Sequence, residues 1–599
     1  MDKIEFKNCE VQSLLNDFYI VPDYQREYVW TETNIKELLN DLYLEFNNKN
    51  RSLEYFLGTI VVCKNDESKK FEIIDGQQRL ITLSIILSVI RKIYGDIGED
   101  CKAIDDLLFN SKINQDGNPV DSFTINVEYE GKEVFYKILK QEQINVNDIS
   151  GSPGSTFFEA YEAVEDFFRE NFDLNVCFDK IKSFVGHILN NIKIIRIETQ
   201  NFQSALKIFE TINDRGVRLD QVDLTKNLIF RQVGREDFSQ LKNGWNKFRS
   251  EIQGNEVREK PLRFMRYFII SNYEMGIVNN DEDEIIREDN IYQWFIDNES
   301  QCKIKKNPFA FTEKLYSDAE FYMGLVNDKF YDNDNLYLKN IKALVGNAFK
   351  QHYILLLAAK KMDKKMFNHF AAQLETLLFY YTLTKELPRD IEKRFVKWAS
   401  ELQKIDNIDK LNNFIRENLI NDINNRKNKF RNNFIELKYT DLQKYKLKYI
   451  LAKLDEYVER VRVGDERPNS LDQYLKSNIN IEHILPDKPT NDTVRDFCGG
   501  NQKEYDSYKV KIGNLALLEQ PINKSIKRDE FNHKVTRYVD SNFYLTRSIS
   551  KLDDGGNNTS ITRINKDLKE FKKWDKSTID DRTQILYSLA EKVWNIELI

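Results

Sequence analysis

Glu482 and His483 end a short alternating apolar run, Asn480-Ile481-Glu482-His483-Ile484-Leu485-Pro486, and no other of the five histidines is placed this way. Downstream stand Ile512-Gly513-Asn514-Leu515-Ala516-Leu517-Leu518 and then Asn523-Lys524, which sets the two asparagines nine residues apart. A carboxylate beside an imidazole, followed by amide oxygens, can hold one divalent cation and activate one water. Glu482 and Asn523 suit the oxygen-seeking cation, and His483 suits the proton transfer. A phosphodiester is the natural target of such a pair, so nuclease chemistry is the first expectation.

A second constellation lies far upstream. The β run Phe71-Glu72-Ile73-Ile74 enters Asp75-Gly76-Gln77-Gln78-Arg79-Leu80 and then a helix that is apolar almost all round. Strand, glycine turn and buried helix put backbone amides at a helix N-terminus beside an arginine, which is an anion site with phosphate as its usual guest. Asp75 could hold a magnesium ion or a ribose hydroxyl, and Arg79 could clamp a phosphate through two donors. The plainer alternative is a tight turn capped by Asp75 with Arg79 in a salt bridge; the turn alone leaves both open. Pro22 forces extended geometry on its neighbour, which leaves Tyr24, Gln25 and Arg26 on a loop ahead of Trp30. Further on, Asn213, Arg215 and Gly216 mark a helix end and turn. Asp223, Lys226 and Asn227 then share a face of the next helix.

These residues need a scaffold. At 599 residues the chain is too long for one core, and 41% apolar residues with 12% aromatics suffice for several. The spacing predicts a helix through Ile35, Leu38, Leu39, Leu42 and Phe46, strands at 55–62 and 71–74, helices at 157–172 and 177–190, and a strand at 192–199. The region 236–440 reads as helical, and its aromatic stripe (Phe264, Tyr267, Phe268) reads as core. Near the C-terminus a helix over 445–465 precedes a strand ending at His483, a second strand over 512–518 and a helical part from Asn523. The expected class is α+β, predominantly helical, with an α/β domain at 1–235, a helical linking domain at 236–440 and a nuclease domain at 441–599. Net charge is -7, so any nucleic-acid contact must be local. The most basic stretch, 424–448, has eight Lys or Arg against two acids, and suits a solvated face or phosphate binding equally. Six cysteines without CxxC spacing read as reduced thiols. A polar start and no membrane-length apolar run lead to a cytoplasmic expectation.

Taken together, Pro22-Asp23-Tyr24-Gln25-Arg26 with Trp30, Asp75-Gly76-Gln77-Gln78-Arg79, and Phe209-Glu210 through Asn213, Arg215-Gly216, Leu219, Asp223-Leu224 and Lys226-Asn227 resemble the DGQQR domain of GmrSD-type restriction enzymes and their BrxU- and SspE-like relatives. That resemblance implies a ParB/sulfiredoxin-like fold that binds and hydrolyses a nucleoside triphosphate. It places Asp75, Gly76, Gln77, Gln78, Arg79, Gln25, Arg26, Asn213, Arg215 and Asp223 at the nucleotide, with the identity of that nucleotide left open. The Glu482-His483 region, Gly513-Asn514 and Asn523-Lys524, with Phe531 to Lys534, Trp574, Arg582, Leu586 and Trp594, is similar to the HNH domain of the same family, a ββα-metal fold. It implies His483 as general base, Asn514 orienting His483 or its loop, and Mg2+ or Mn2+ on Glu482 and Asn523; position 482 is Glu where many HNH nucleases have Asp. Lys527 and Arg528 are expected at phosphates, and Tyr24 and Trp30 in a DNA-sensing pocket. The family implies restriction of phage or modified DNA, and a homodimer is left open. The rival readings are a nickase, an RNA-cutting enzyme and a nucleotide-switched DNA-binding protein without catalysis.

Overall fold

The computed structural model describes residues 4–22, 25, 27–48, 55–65, 70–113, 119–145, 149, 152, 154–172, 178–200, 204, 205, 207–209, 221–234, 237–254, 257–274, 286–526, 529–556, 559–596 and 598. They form mixed α/β structure, mostly helical, in two compact units: residues 1–243 with 304–308, and residues 244–303 with 309–599.

In the first unit, six strands make one sheet: β1 (Glu5–Glu10), β2 (Tyr19–Val21), β3 (Tyr55–Asn65), β4 (Lys70–Asp75), β5 (Ile125–Val127) and β6 (Ile192–Thr199). Their spatial order is β1-β6-β3-β4-β2-β5, with β1/β6 and β3/β4 antiparallel and the other neighbours parallel. The inner strands bury Ile60, Val61, Val62, Ile192, Ile194 and Ile197, the β-branched composition that a covered strand favours. Helix α1 (Glu32–Asn47) turns its Ile35, Leu38, Leu39, Leu42 and Phe46 stripe into the core behind a Thr31–Asn34 capping box. Helix α2 (Gln77–Asp96) has no polar face because helices Lys102–Leu108, Lys132–Lys140 and Ser155–Asn171 pack around it. Its inward hydroxyls are satisfied: Ser84 donates to the Leu80 carbonyl (3.1 Å) and Ser88 to that of Ile138 (2.6 Å).

The second unit holds the helical middle and the C-terminal region. Helix α3 (Lys364–Thr384) is buried along most of its length. Phe264, Tyr267 and Phe268 are buried, as is His352, whose ring lies 4.0 Å from that of Tyr353 and whose pKa burial pushes down to about 3. Helix α4 (Lys444–Val463) leads to β7 (Ile479–His483), which pairs antiparallel with β8 (Leu515–Glu519). Helices α5 (Gln520–Ile526), α6 (Phe531–Tyr538) and α7 (Lys576–Val593) follow. Beyond α7, Trp594 stacks on Phe379 of α3 with ring centroids 3.7 Å apart. The second strand differs from expectation. Ile512–Asn514 is a 3-10 turn, and β8 begins only at Leu515. The cause is α7: a Cβ on Gly513 would meet the Ile579 carbonyl and Thr583 Oγ1 at 2.3 Å, so the chain turns against that helix on a glycine.

Asp455 of α4 is 2% exposed, and one carboxyl oxygen accepts the Leu545 N–H at 2.6 Å. Burial pushes its pKa up to about 8. The native state therefore keeps a proton that the unfolded chain releases above its ordinary carboxyl pKa, and stability falls as pH rises from about 4 toward 8. Asp455→Asn keeps the acceptor and removes the proton linkage. Its melting temperature is expected to exceed the parent's at pH 8 and approach it at pH 5; parallel pH profiles would refute the assignment.

No helix among the described residues is long and apolar enough to cross a membrane. Among the described residues Cys9, Cys101, Cys302 and Cys498 are free thiols.

Candidate active site

Strand β7 sets alternate residues on opposite faces, and the antiparallel register puts Glu482 across from Ala516 and His483 across from Leu515. Glu482 is 5% exposed. Its Oε1 accepts from Lys534 Nζ at 2.6 Å and from the Tyr538 hydroxyl at 3.2 Å, and its Oε2 accepts from Asn523 Nδ2 at 2.9 Å. Lys534 and Tyr538 lie four apart on α6 and so share one helix face. Lys534 also donates to the His483 carbonyl (2.7 Å), which ties both members of the Glu-His pair to one ammonium group. Burial pushes the Glu482 carboxyl above its usual range, and the Lys534 and Tyr538 donors oppose that shift.

His483 is half-buried, with the Tyr439 ring edge-on at a centroid distance of 4.8 Å. Burial pushes its pKa down to about 4; Asp487 opposes this, while the ammonium groups of Lys534, Lys509 and Lys444 add to it. The imidazole is thus neutral at pH 7 and able to take a proton.

Asn514 is fully buried, and its amide faces the backbone rather than the imidazole. Its Oδ1 accepts from Leu485 N (2.7 Å) and Trp574 Nε1 (2.9 Å), and its Nδ2 donates to the Leu485 (3.1 Å) and Lys509 (2.8 Å) carbonyls. Arg582 of α7 clamps the same turn by donating to the Gly513 and Leu515 carbonyls, both at 2.7 Å. Of the two tasks expected of Asn514, these contacts match holding the loop after His483.

In the first unit a cavity of about 110 Å3 is lined by Gln25, Trp30, Ile74, Asp75, Gly76, Gln77, Gln78, Arg79, Phe209, Asp223, Lys226 and Asn227. It sits where β4 gives way to α2. Gly76 has φ +92°, and a Cβ there would lie 2.4 Å from Ile60 Cγ2. Gly76→Ala is expected to destabilise the first unit by about 1–3 kcal/mol, and an unchanged melting temperature would contradict that. Asp75 Oδ1 caps the turn by accepting from Gly76 N (2.7 Å), as the plainer alternative had it. Arg79 departs from that alternative. Its Nη1 donates to the Thr59 carbonyl (2.9 Å), and it has no carboxylate partner among the described residues. Its guanidinium lies against Gly58, where a Cβ would come within 3.1 Å. Gln78 bridges to the incoming loop, accepting from Val29 N (2.9 Å) and donating to the Glu27 carbonyl (3.1 Å), while Gln25 Nε2 donates to the Ile74 carbonyl (3.2 Å).

A family model for the N-terminal domain of the GmrSD restriction endonuclease matches residues 10–230, and one for the C-terminal domain of GmrSD restriction endonucleases matches residues 424–589. The chain belongs to the GmrSD restriction endonucleases. A search of the curated proteins finds no match.

In this GmrSD chain the expected residues gather at two places. Glu482 and Asn523 touch, His483 is the next residue of β7, and Asn514 braces the loop behind. Gln25, Trp30, Asp75, Gly76, Gln77, Gln78, Arg79 and Asp223 share the upstream cavity. Tyr24, Arg26, Asn213, Arg215, Lys527 and Arg528 lie outside the described residues. His533 is exposed and pairs with Asp529 at 2.6 Å. Sequence reasoning assigned no role to Lys534, Tyr538 or Tyr439. The i, i+4 spacing on an amphipathic helix could have marked the first two as a pair, whereas nothing in the sequence joins Tyr439 to His483.

Proposed function

We propose that this GmrSD chain is a metal-dependent DNA endonuclease of the HNH, ββα-metal type, governed by a nucleoside triphosphate bound and hydrolysed in a ParB/sulfiredoxin-like N-terminal unit, and that it restricts foreign, modified DNA. The observation that carries the reading is the contact of Glu482 with Asn523 at the end of a strand whose next residue is a neutral His483. The donor set suits a hard cation. An amide presents oxygen or nitrogen by a half-turn, so Asn523 can offer Oδ1 where it now offers Nδ2 to Glu482 Oε2. One carboxylate and one amide oxygen form a short ligand set, and among the described residues no three His, Cys, Asp or Glu cluster for a metal. Mg2+ tolerates this, because it keeps waters and completes its shell with substrate phosphate oxygens. An ion held there supplies positive charge to the scissile phosphate and the departing 3′ oxygen.

The chain's own groups perform the remaining work. His483 accepts a proton from the attacking water at its free ring nitrogen, and the negative phosphate raises the basicity that burial lowers. Lys534 fixes Glu482 and the His483 backbone together. Asn514 and Arg582 hold the loop rigid.

In the upstream cavity, α2 offers its amide-bearing N-terminus, and Arg79 a guanidinium without a carboxylate partner among the described residues; together they suit a phosphate. The described walls enclose about 110 Å3, less than the few hundred Å3 of a whole-ligand pocket, and so account for the phosphate end. Arg79→Gln is expected to weaken nucleotide binding by about 10- to 100-fold, the loss of one charged hydrogen-bonding partner. Calorimetry checks this, and unaltered affinity would place the nucleotide elsewhere.

The decisive experiment for the whole reading is digestion of differently modified phage DNAs, unmodified DNA and RNA, with and without nucleotide and divalent cation. Cleavage of modified DNA that needs both additions is the expected result. Equal cutting without either would overturn the regulation and the metal requirement, and cutting confined to RNA would overturn the substrate.

A further inference from the structure

We propose that residues 437–444 form one bank of a DNA-backbone channel at the nuclease centre, with Lys438 and Lys444 against phosphates and Tyr439 as the wall beside His483. The inference rests on the nuclease reading above and adds where the substrate lies.

The segment is bolted to the site. Ile512 N donates to the Leu437 carbonyl at 2.8 Å, Tyr439 N donates to the Val510 carbonyl at 2.6 Å, and Lys438 bridges to Lys511 as an isolated antiparallel pair. These bonds lay it beside the stretch that leads into β8. Asp441 closes the bend by accepting from Lys438 N at 2.9 Å. The Tyr439 ring then meets the His483 ring edge-on.

Part of the basic run is engaged within the protein. Arg426 is held by Glu386 (2.9 Å) and Asp422 (2.8 Å), and Lys429 stands 3.8 Å from Glu386. Arg431 lies over the Tyr587 ring, and Lys448 donates to the Leu475 and Lys476 carbonyls. Lys438 and Lys444 have no carboxylate partner among the described residues, as is true of Lys427 and Lys446; they are set apart by lying on the segment bonded beside the stretch that leads into β8, and Lys444 is exposed. Lys524, next to Asn523, is exposed and likewise has no such partner among the described residues. Of the ammonium groups near His483, Lys534 is paired with Glu482 (2.6 Å) and Lys509 with Asp506 (3.0 Å) and Asp487 (3.4 Å), which leaves Lys444 without a carboxylate among the described residues. In a protein of net charge -7, unneutralised Lys438, Lys444 and Lys524 on the segments that flank the His483 strand are local charges suited to a polyanion. A flexible phosphate backbone matches separate point charges of this kind, and its binding must then show counterion release.

The test uses the full chain carrying His483→Ala, so that DNA is bound and not cut. Affinity for a short DNA duplex is measured by fluorescence anisotropy from about 50 to 200 mM salt. Lys438→Gln with Lys444→Gln is expected to flatten the plot of log affinity against log salt by about 1.8, roughly 0.9 for each phosphate that the variant no longer neutralises. A charge-matched pair, Lys410→Gln with Lys427→Gln, is expected to leave the slope unchanged. An unaltered slope in the first pair, equal flattening in both pairs, no salt-dependent duplex binding by the parent, or flattening seen with RNA and not DNA would each overturn the proposal. Persistent cutting by the His483→Ala protein would instead remove His483 as the centre of the nuclease reading beneath it, so the two failures are distinguishable.

Discussion

His483→Ala is expected to reduce DNA cleavage by about 10²- to 10⁴-fold, the usual contribution of a positioned general base, while leaving the fold in place. The substitution is clean for a structural reason. What His483 gives the scaffold is backbone: its carbonyl accepts from Lys534, and its strand pairs with Leu515. Alanine retains both and removes only an imidazole that rests edge-on against Tyr439. Initial rates of plasmid cleavage under single-turnover conditions read the effect directly, and a variant cutting at the parental rate would take His483 out of the reaction. Asn514→Ala would also lose activity but by another route. It strands the Leu485 N–H, the Lys509 carbonyl and the Trp574 indole, so it should melt earlier as well.

Lys534→Met is expected to cost about 3–5 kcal/mol, because it leaves a buried carboxylate without its cation. Both partners are almost fully buried, at 1% and 6% side-chain exposure. Adding Glu482→Gln to that variant should restore most of the loss. The neutral amide can accept from the Tyr538 hydroxyl at its oxygen and donate its NH2 to the Asn523 Oδ1 once that amide turns over, without carrying charge into the core. Urea unfolding of the single and double variants gives the coupling directly. If Lys534→Met unfolded at the parental midpoint, the ion pair would contribute nothing and Glu482 would have to be protonated in the fold.

The candidate sites could be picked out in the sequence wherever their residues are neighbours in the chain. Glu482-His483 declares itself because acid and base are adjacent at a strand end. Asp75 to Arg79 declares itself because strand, glycine and buried helix follow one another directly, and the Gly76 geometry requires the glycine. What stayed hidden depends on long-range packing. The apolar run 512–518 reads as one strand, and only the pressure of α7 on Gly513 turns its first three residues aside. The same distance hid the task of Asn514, whose partners include Leu485 and Trp574. The basic run could not be divided from sequence either, since the carboxylates that neutralise Arg426 and Lys429 lie on segments read merely as helical. Aromatic residues in the middle region fared better: periodic apolar spacing identifies a core without needing to know its partner.

The clamp of α7 on the Gly513–Asn514 turn also bears on biosynthesis. The ribosome delivers Glu482 and His483 well before it delivers Trp574, Ile579 and Arg582, and those later residues hold the loop behind the histidine. Synthesis that halts between Leu518 and Trp574 leaves a chain with its reactive pair made but its loop unbraced. On the proposed reading, a chain truncated there is expected to bind DNA poorly positioned for His483 and to cut it far more slowly than the full chain.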